Sequence, residues 1–296
     1  MTEIQFLVQQ LTNGLILGST YSLVAIGLTM VFGVLGVINL AQGEIFMVGA
    51  FGGLLALQAG FGLPGALLAG IIAAGLCGYL IERFALRPLP SGVDPHIPMV
   101  STIGAGILLQ EIAAGYFSAR EQPYITPDFL ATTFDIGPIK LDALNIFIIS
   151  LTLILTVGLS LFLSKARLGL AIRAVAENPG IAQLMGVNRV AVVALVFVLS
   201  SVLAGIAGVL VGMYFHNISP FVGIGISLKG LAAVILGGLG SVNGAVVAGF
   251  VIGVSEVMAV SYFDASWRDA VAFGVMILVL LLRPSGLFGR AVAEKV

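Results

Sequence analysis

Val190-Ala-Val-Val-Ala-Leu-Val-Phe-Val-Leu-Ser-Ser-Val-Leu-Ala-Gly-Ile-Ala-Gly-Val-Leu-Val-Gly-Met213 contains no ionisable residue. A helix needs about 20 consecutive apolar residues to cross the roughly 30 Å of hydrocarbon in a bilayer, and this run is long enough. Similar uncharged or nearly uncharged stretches precede it at Ile4–Leu40, Ile45–Gly60, Leu63–Leu80, Pro98–Phe117 and Leu144–Leu163. Others follow it at Leu228–Leu239, Val242–Tyr262 and Ala270–Leu282. The pattern predicts an all-α polytopic membrane protein, a single transmembrane domain over residues 1–296 with about eight to ten transmembrane or broken helices.

Composition agrees. Hydrophobic residues make up 59% of the chain and charged residues 9%, against about 25% charged in a soluble domain. A mean hydropathy of +1.15 excludes a soluble protein carrying one anchor. The 39 glycines suit close helix packing and helix breaks that line a cavity. A net charge of −1 with no basic cluster gives no reason to expect nucleic acid as a partner. Cys77, the single cysteine, leaves no disulfide framework. The N-terminus lacks a positive region and a small-residue cleavage site ahead of a polar mature chain, so no cleaved signal peptide is expected.

Arg and Lys mark cytoplasmic loops. Arg83 and Arg87 place 83–97 inside, Lys165, Arg167, Arg173 and Arg189 place 165–190 inside, and Arg283, Arg290 and Lys295 do so for the tail. The segment 119–143, with Glu121, Asp128, Asp135 and Asp142 against Arg120 and Lys140, reads as an external loop. From a second external loop near Asn217–Gly225 to the tail, three crossings fit, with Leu228–Leu239 short or broken. The first 40 residues read as one long helix or two short ones, which leaves the side of the N-terminus open.

Two glycine-rich runs resemble each other. Gly33-Val-Leu-Gly-Val-Ile-Asn39 and Gly237-Gly-Leu-Gly-Ser-Val-Asn243 share G-x-L-G-x-x-N after a G-L-x-x-V lead-in, with one residue of slippage. Such interruptions in corresponding places point to a transporter of two related halves with its pathway at the breaks. Both fall on the same side of the membrane, so the repeat is parallel; chance similarity between glycine-rich helices is the alternative.

The internal loop carries a docking candidate. Asn178 is a good helix N-cap, Pro179 a good first residue, and Gly186 suits the left-handed position that ends a helix. A short helix from Pro179 to Met185 follows, with Ile181, Leu184 and Met185 on one face. An apolar stripe on a polar loop offers itself to another protein or lies on lipid.

Acids inside the spans are the pathway candidates, since an acid at the bilayer centre costs roughly 2.5–3.5 kcal/mol on insertion scales and usually faces an interior or a water-filled path. Glu111, beside Gln110, is the deepest. Glu44 follows the first break near Asn39 and Gln42, and Glu256 follows the second, which Gly237, Gly240 and Asn243 form; Lys229 opens that segment. Glu44 and Glu256 also read as end-of-helix acids in headgroup water, and Glu111 as a structural partner to another helix. Tyr21 is a further candidate, with a packing role as its alternative. Trp267 reads as an interfacial anchor, and His96 and His216 lie in opposite loops, too isolated for a metal site. There is no Ser/His/Asp set, no H-E-x-x-H and no G-x-x-x-x-G-K-[ST] phosphate loop, so neither an intramembrane enzyme nor an ATP-binding function is expected.

The run Ala176-Glu-Asn-Pro-Gly-Ile-Ala-Gln-Leu-Met-Gly-Val-Asn188, with its lead-in Leu168-Gly-Leu-Ala-Ile-Arg-Ala-Val175, resembles the coupling segment of permeases in branched-chain amino acid ABC importers, the Liv type. So do Asn13-Gly14 through Tyr21, Ala25-x-Gly27-Leu28, Asn39-x-x-x-Gly43, and Lys229 through Gly244. Together these span nearly the whole chain, and their spacing is that of the first of the two permease types. The resemblance implies a permease of the cell inner membrane with no cofactor of its own. ATP and Mg would belong to two ATP-binding subunits that contact Arg173, Glu177, Asn178, Pro179, Ile181, Leu184 and Gly186. A second related permease and an external solute-binding protein would complete the importer. Branched-chain or hydrophobic amino acids are the implied substrate, with urea or short amides as the alternative, because those importers share the motifs. An ion-coupled secondary transporter and a passive channel are the competing functions.

Overall fold

The computed structural model describes residues 3–90, 94, 96–130, 132–136 and 139–289. Arg290 and Lys295, part of the basic tail, lie outside them. Among the described residues, seven helical segments are long and apolar enough to cross a membrane, and Val222–Gly237 is a shorter apolar helix.

Helix α1 (Glu3–Leu35) resolves the first 40 residues as one long helix followed by a non-helical turn. It is the central post, buried on nearly all sides from Gly14 to Val31. Small residues one turn apart explain why. Gly14 lies against Val254, Gly18 against Phe250, and the Ser22 hydroxyl donates to the Val246 carbonyl at 2.9 Å. These partners belong to α10 (Val242–Tyr262), which runs antiparallel to α1. Without a Cβ at 14 and 18 the two backbones approach closely, and in lipid such packing replaces the hydrophobic drive that soluble helices use.

After Leu35 the chain turns at Gly36, with a φ of +67°, the left-handed conformation that favours glycine. It then doubles back, so that α2 (Gln42–Gln58) begins inside the bundle with Gln42 beside Gly27. α3 (Gly62–Ile81) returns and continues into one π-turn, Glu82–Leu86. α4 (His96–Phe117) crosses again. Among the described residues, the external loop holds three short strands, β1 (Gln122–Pro123) and the hairpin β2 (Thr133–Ile136) and β3 (Ile139–Asp142). α5 (Ala143–Lys165) leads to two cytoplasmic helices, α6 (Arg167–Glu177) and α7 (Pro179–Leu184). α8 (Arg189–Phe215) then crosses outward. Its end is tied back by β4 (Asn217–Ile218), which pairs antiparallel with β1. α9 (Val222–Gly237), α10 and α11 (Arg268–Leu282) finish the bundle.

The three crossings expected between Asn217 and the tail are therefore α9, α10 and α11. One boundary moves: the external loop stops at Phe221, because α9 starts at Val222 rather than near Leu228. With the Arg-bearing loops inside, alternation places the start of α1 outside. The buried layer is α1, α2, α8 and α9; α4, α5 and α11 are mostly exposed and form the outer faces.

α2 and α9 start next to one another and run to opposite faces. Gly43 lies against the backbone of Gly223, and the Gly43 N–H donates to Ser227 Oγ at 2.7 Å. A Cβ at 43 would strike the Gly223 carbonyl. Gly43→Val is expected to lower stability by about 1–3 kcal/mol or more, read as an earlier thermal unfolding in detergent. Gly158→Val on α5, where a Cβ meets nothing within 4 Å, is the control expected to unfold as the parent does.

Candidate functional site

The start of α2, where it crosses α9, is a polar place in the bundle interior. The non-helical Asn39–Ala41 leaves backbone groups that hydrocarbon cannot satisfy, and side chains from several elements take them up. Thr102 of α4 accepts from the Leu40 N–H at 3.2 Å, and Ser227 of α9 donates to the Leu40 carbonyl at 3.3 Å. Asn39 accepts from the Ala41 N–H and donates to Gln42, each at 3.2 Å. Gln42 donates to the Ser200 carbonyl of α8 at 3.1 Å and accepts from its hydroxyl at 3.2 Å. Asn39 and Gln42 thus sit together in the interior. Thr102, Ser200 and Ser227, which the sequence alone does not single out, complete the ring.

Glu44 occupies the first turn of α2, where a negative charge suits the helix dipole, and is 5% exposed. It sits in the notch that Gly106 leaves in α4. This excludes the headgroup-water alternative for Glu44.

Glu256 is likewise buried, 1% exposed, in an ionic cluster that joins four helices. Tyr21 Oη of α1 donates to it at 2.8 Å and Lys229 Nζ of α9 at 2.9 Å; Arg268 Nε of α11 lies at 3.1 Å. Lys229 also pairs with Asp269 at 3.1 Å, and its ammonium lies 5.6 Å from the Tyr21 ring centre. Two cations and two anions share one site at the edge of the low-dielectric interior. The cluster borders an outward cavity of about 380 Å³, lined by Tyr21, Lys229 and Arg268 with Glu121, Asn217 and Phe221 above them. Arg268 and Asp269 are absent from the sequence-based candidates, since Trp267 beside them reads as an interfacial anchor, and Trp267 is indeed 55% exposed.

Glu111 differs. It lies on the outward face of α4 with Val100, Ile107, Leu108 and Tyr116, not inside this chain's own bundle. The second glycine run differs as well. α9 ends at Gly237, where Gly238 and Gly240 have φ values of +99° and +84°. There the backbone of the following tail covers the break: the Leu287 N–H donates to the Leu236 carbonyl at 2.9 Å and the Phe288 N–H to that of Gly237 at 3.0 Å. Asn243 is exposed whereas Asn39 is buried. The two runs end helices at the same face, and only the first opens into the interior.

At the cytoplasmic side the docking candidate is a pair of helices. α6 adds a helix where the sequence suggests only a basic lead-in; Gly169, Ile172 and Val175 form its buried face, and Gly169 lies against the Phe162 and Leu163 backbone. Arg173 donates to the Ser164 carbonyl at 3.2 Å, which fixes α6 to the end of α5. Asn178 caps α7 by accepting from the Ile181 N–H at 3.0 Å. α7 ends at Leu184, one residue earlier than expected, with Gly186 at a φ of +85°. Ala182 faces inward, while Ile181, Leu184 and Met185 are 59%, 88% and 80% exposed. Glu177 is also exposed.

Residues 10–280 match the family model described as branched-chain amino acid transport system / permease component. The chain is 41% identical to the high-affinity branched-chain amino acid transport system permease protein BraD of Pseudomonas aeruginosa, covering 100% of both. It is 35% identical to the corresponding LivH protein of Escherichia coli, covering 98% of each. Among solved structures it is similar to PsaBC from Streptococcus pneumoniae in complex with Fab, with a TM-score of 0.50 and 15% identity over 93% of this chain and 92% of that one. That likeness concerns the fold alone. The motifs around Asn39, Asn178 and Lys229, the multi-pass bundle and the full-length match agree, and the chain belongs to the branched-chain amino acid ABC transporter permease family.

Proposed function

We propose that this chain is one of two related permeases in an importer for branched-chain or hydrophobic amino acids. ATP is hydrolysed by two separate subunits, and an external binding protein delivers the solute. The observation that carries this reading is α7, a capped helix in a basic loop whose Ile181, Leu184 and Met185 point away from the chain that holds them. An ion-coupled carrier has no use for such an element. The test is reconstitution in liposomes with and without the cognate ATPase and binding protein. Leucine uptake that requires ATP, the ATPase and the binding protein is expected; uptake driven by an ion gradient through this chain alone would overturn the reading.

The second permease belongs on the outward face of α4. A carboxylate facing hydrocarbon there would cost roughly 2.5–3.5 kcal/mol, and Gly104 and Gly115 on the same helix have open space beside them, which suits a neighbouring helix. The route for the solute then runs between the two permeases, with Glu111 at its wall, Glu44 behind the Gly106 notch, and Tyr21 and Glu256 nearer the outer mouth. Asn39, Gln42, Gly237, Gly240 and Asn243 act less directly, by holding the helix breaks that border it. Because Cys77 is buried and is the chain's one cysteine, introduced cysteines report cleanly. Leu108→Cys and Glu111→Cys are expected to cross-link to cysteines in the second permease. Ile154→Cys, on the exposed face of α5, is the comparison expected to stay uncoupled. Equal cross-linking from α5 would move the interface.

A further inference from the structure

A cavity of about 410 Å³ opens where the cytoplasmic ends of α1, the π-turn, α4 and α8 meet α7. The solute route does not use it. Leu35, Val37, Leu86, Val190 and Val193 are part of its apolar lining. Glu82, Arg87, Arg189 and Gln183 are its polar lining. The Arg87 guanidinium grips Glu82 through Nε at 3.1 Å and Nη2 at 2.9 Å. That bidentate pair neutralises the buried Glu82 and leaves the Nη1 edge of Arg87 unused by it. Arg189 makes no ion pair among the described residues.

Depth decides what fits. Leu35 is the last residue of α1, Arg189 the first of α8, and Pro98 stands in the first turn of α4. The arginines therefore lie at headgroup level, and Val193 lies one helical turn further into the membrane. Val190, which lines the cavity, is 48% exposed, so the apolar lining continues onto the outer surface. Glu82 also lines the cavity, so its two arginines leave one net positive charge at the headgroup plane beside apolar side chains; that is the complement of an amphipathic anion, and basic pockets between transmembrane helices on the cytoplasmic side recognise anionic headgroups. A free phosphate would use the arginines and leave the apolar lining empty.

We propose that this cavity binds one anionic phospholipid, its phosphodiester against Arg189 and the free edge of Arg87, and an acyl chain along Leu35, Leu86, Val190 and Val193. Since Gln183 lies on α7 and Arg189 starts the helix after it, the bound lipid braces the element that meets the ATPase.

The test uses the assembled importer in detergent, with native mass spectrometry to count retained phosphatidylglycerol and phosphatidylcholine. The parent is expected to keep one more phosphatidylglycerol than Arg189→Gln, with retention at that site about fivefold weaker in the variant. Arg189→Lys should restore most of it. Arg83→Gln, an exposed arginine outside the cavity, should change nothing. Equal loss from Arg83→Gln would reduce the effect to diffuse charge, and equal retention of phosphatidylcholine would remove the headgroup preference; either overturns the proposal. Displacement of phosphatidylglycerol by millimolar glycerol phosphate, which has no acyl chain, would assign the site to a soluble phosphate and overturn it as well.

Discussion

Aspartate at both Ile181 and Leu184 is expected to leave the permease folded and inserted but to abolish its association with the ATPase and, with it, ATP-driven uptake. The bundle is indifferent to these side chains, which are 59% and 88% exposed. The cap from Asn178 and the inward Ala182 hold α7 without them. A central apolar anchor of an interface is worth about 2 kcal/mol or more on truncation. Losing two amounts to about 4 kcal/mol, roughly a thousandfold in affinity if they act independently, and the buried carboxylates add an unpaired charge to the partner's pocket. Co-purification of the ATPase with tagged permease checks this, with thermal unfolding as the folding control. The same pair of substitutions separates docking from the alternative in which α7 lies on lipid. An interfacial helix would lose membrane contact and keep its ATPase, so unchanged co-purification would remove α7 from the coupling pathway.

Much of the fold is legible because crossing a bilayer imposes length and charge rules on local sequence. The runs ending at Phe117, Leu163 and Met213 and the basic loops between them lead directly to α4, α5 and α8. α7 is legible for a different reason: Asn178, Pro179 and Gly186 act on their own backbone neighbours. Burial is not legible. In a soluble helix the polar face announces itself, but α1 and α4 are apolar nearly all round, and only the partner's shape decides that α1 is enclosed while α4 is bare. Hence Glu111 reads as the deepest acid when it lies on the outward face, and for Glu44 and Glu256 a pathway acid and a headgroup acid stay equally open in the sequence although both are buried. The polar ring at Leu40 is hidden too, since Thr102, Ser200 and Ser227 come from three distant segments and look like ordinary small residues in apolar helices.

The ionic cluster supplies the second large effect. Glu256→Gln is expected to destabilise the chain by about 3–5 kcal/mol, the cost of breaking a buried ion pair from one side. The amide keeps an acceptor for Tyr21 Oη but no longer balances Lys229, 11% exposed, or Arg268. Asp269 cannot take over the whole charge, because it is 67% exposed and partly solvated. Lys229→Met alone should cost less, since Arg268 remains at 3.1 Å from Glu256. The double variant Lys229→Met with Glu256→Leu removes both desolvated charges, and buried ion pairs replaced by apolar residues are often neutral in stability. It should therefore unfold closer to the parent than Glu256→Leu alone does, a coupling that thermal unfolding of the parent, Lys229→Met, Glu256→Leu and the double variant measures as a cycle. Uptake divides the two roles left for the cluster. If it only joins α1, α9, α10 and α11, the stable double variant transports normally. If Tyr21, Lys229 and Arg268 form the floor of the outward cavity through which the amino acid enters, the double variant folds and fails to transport.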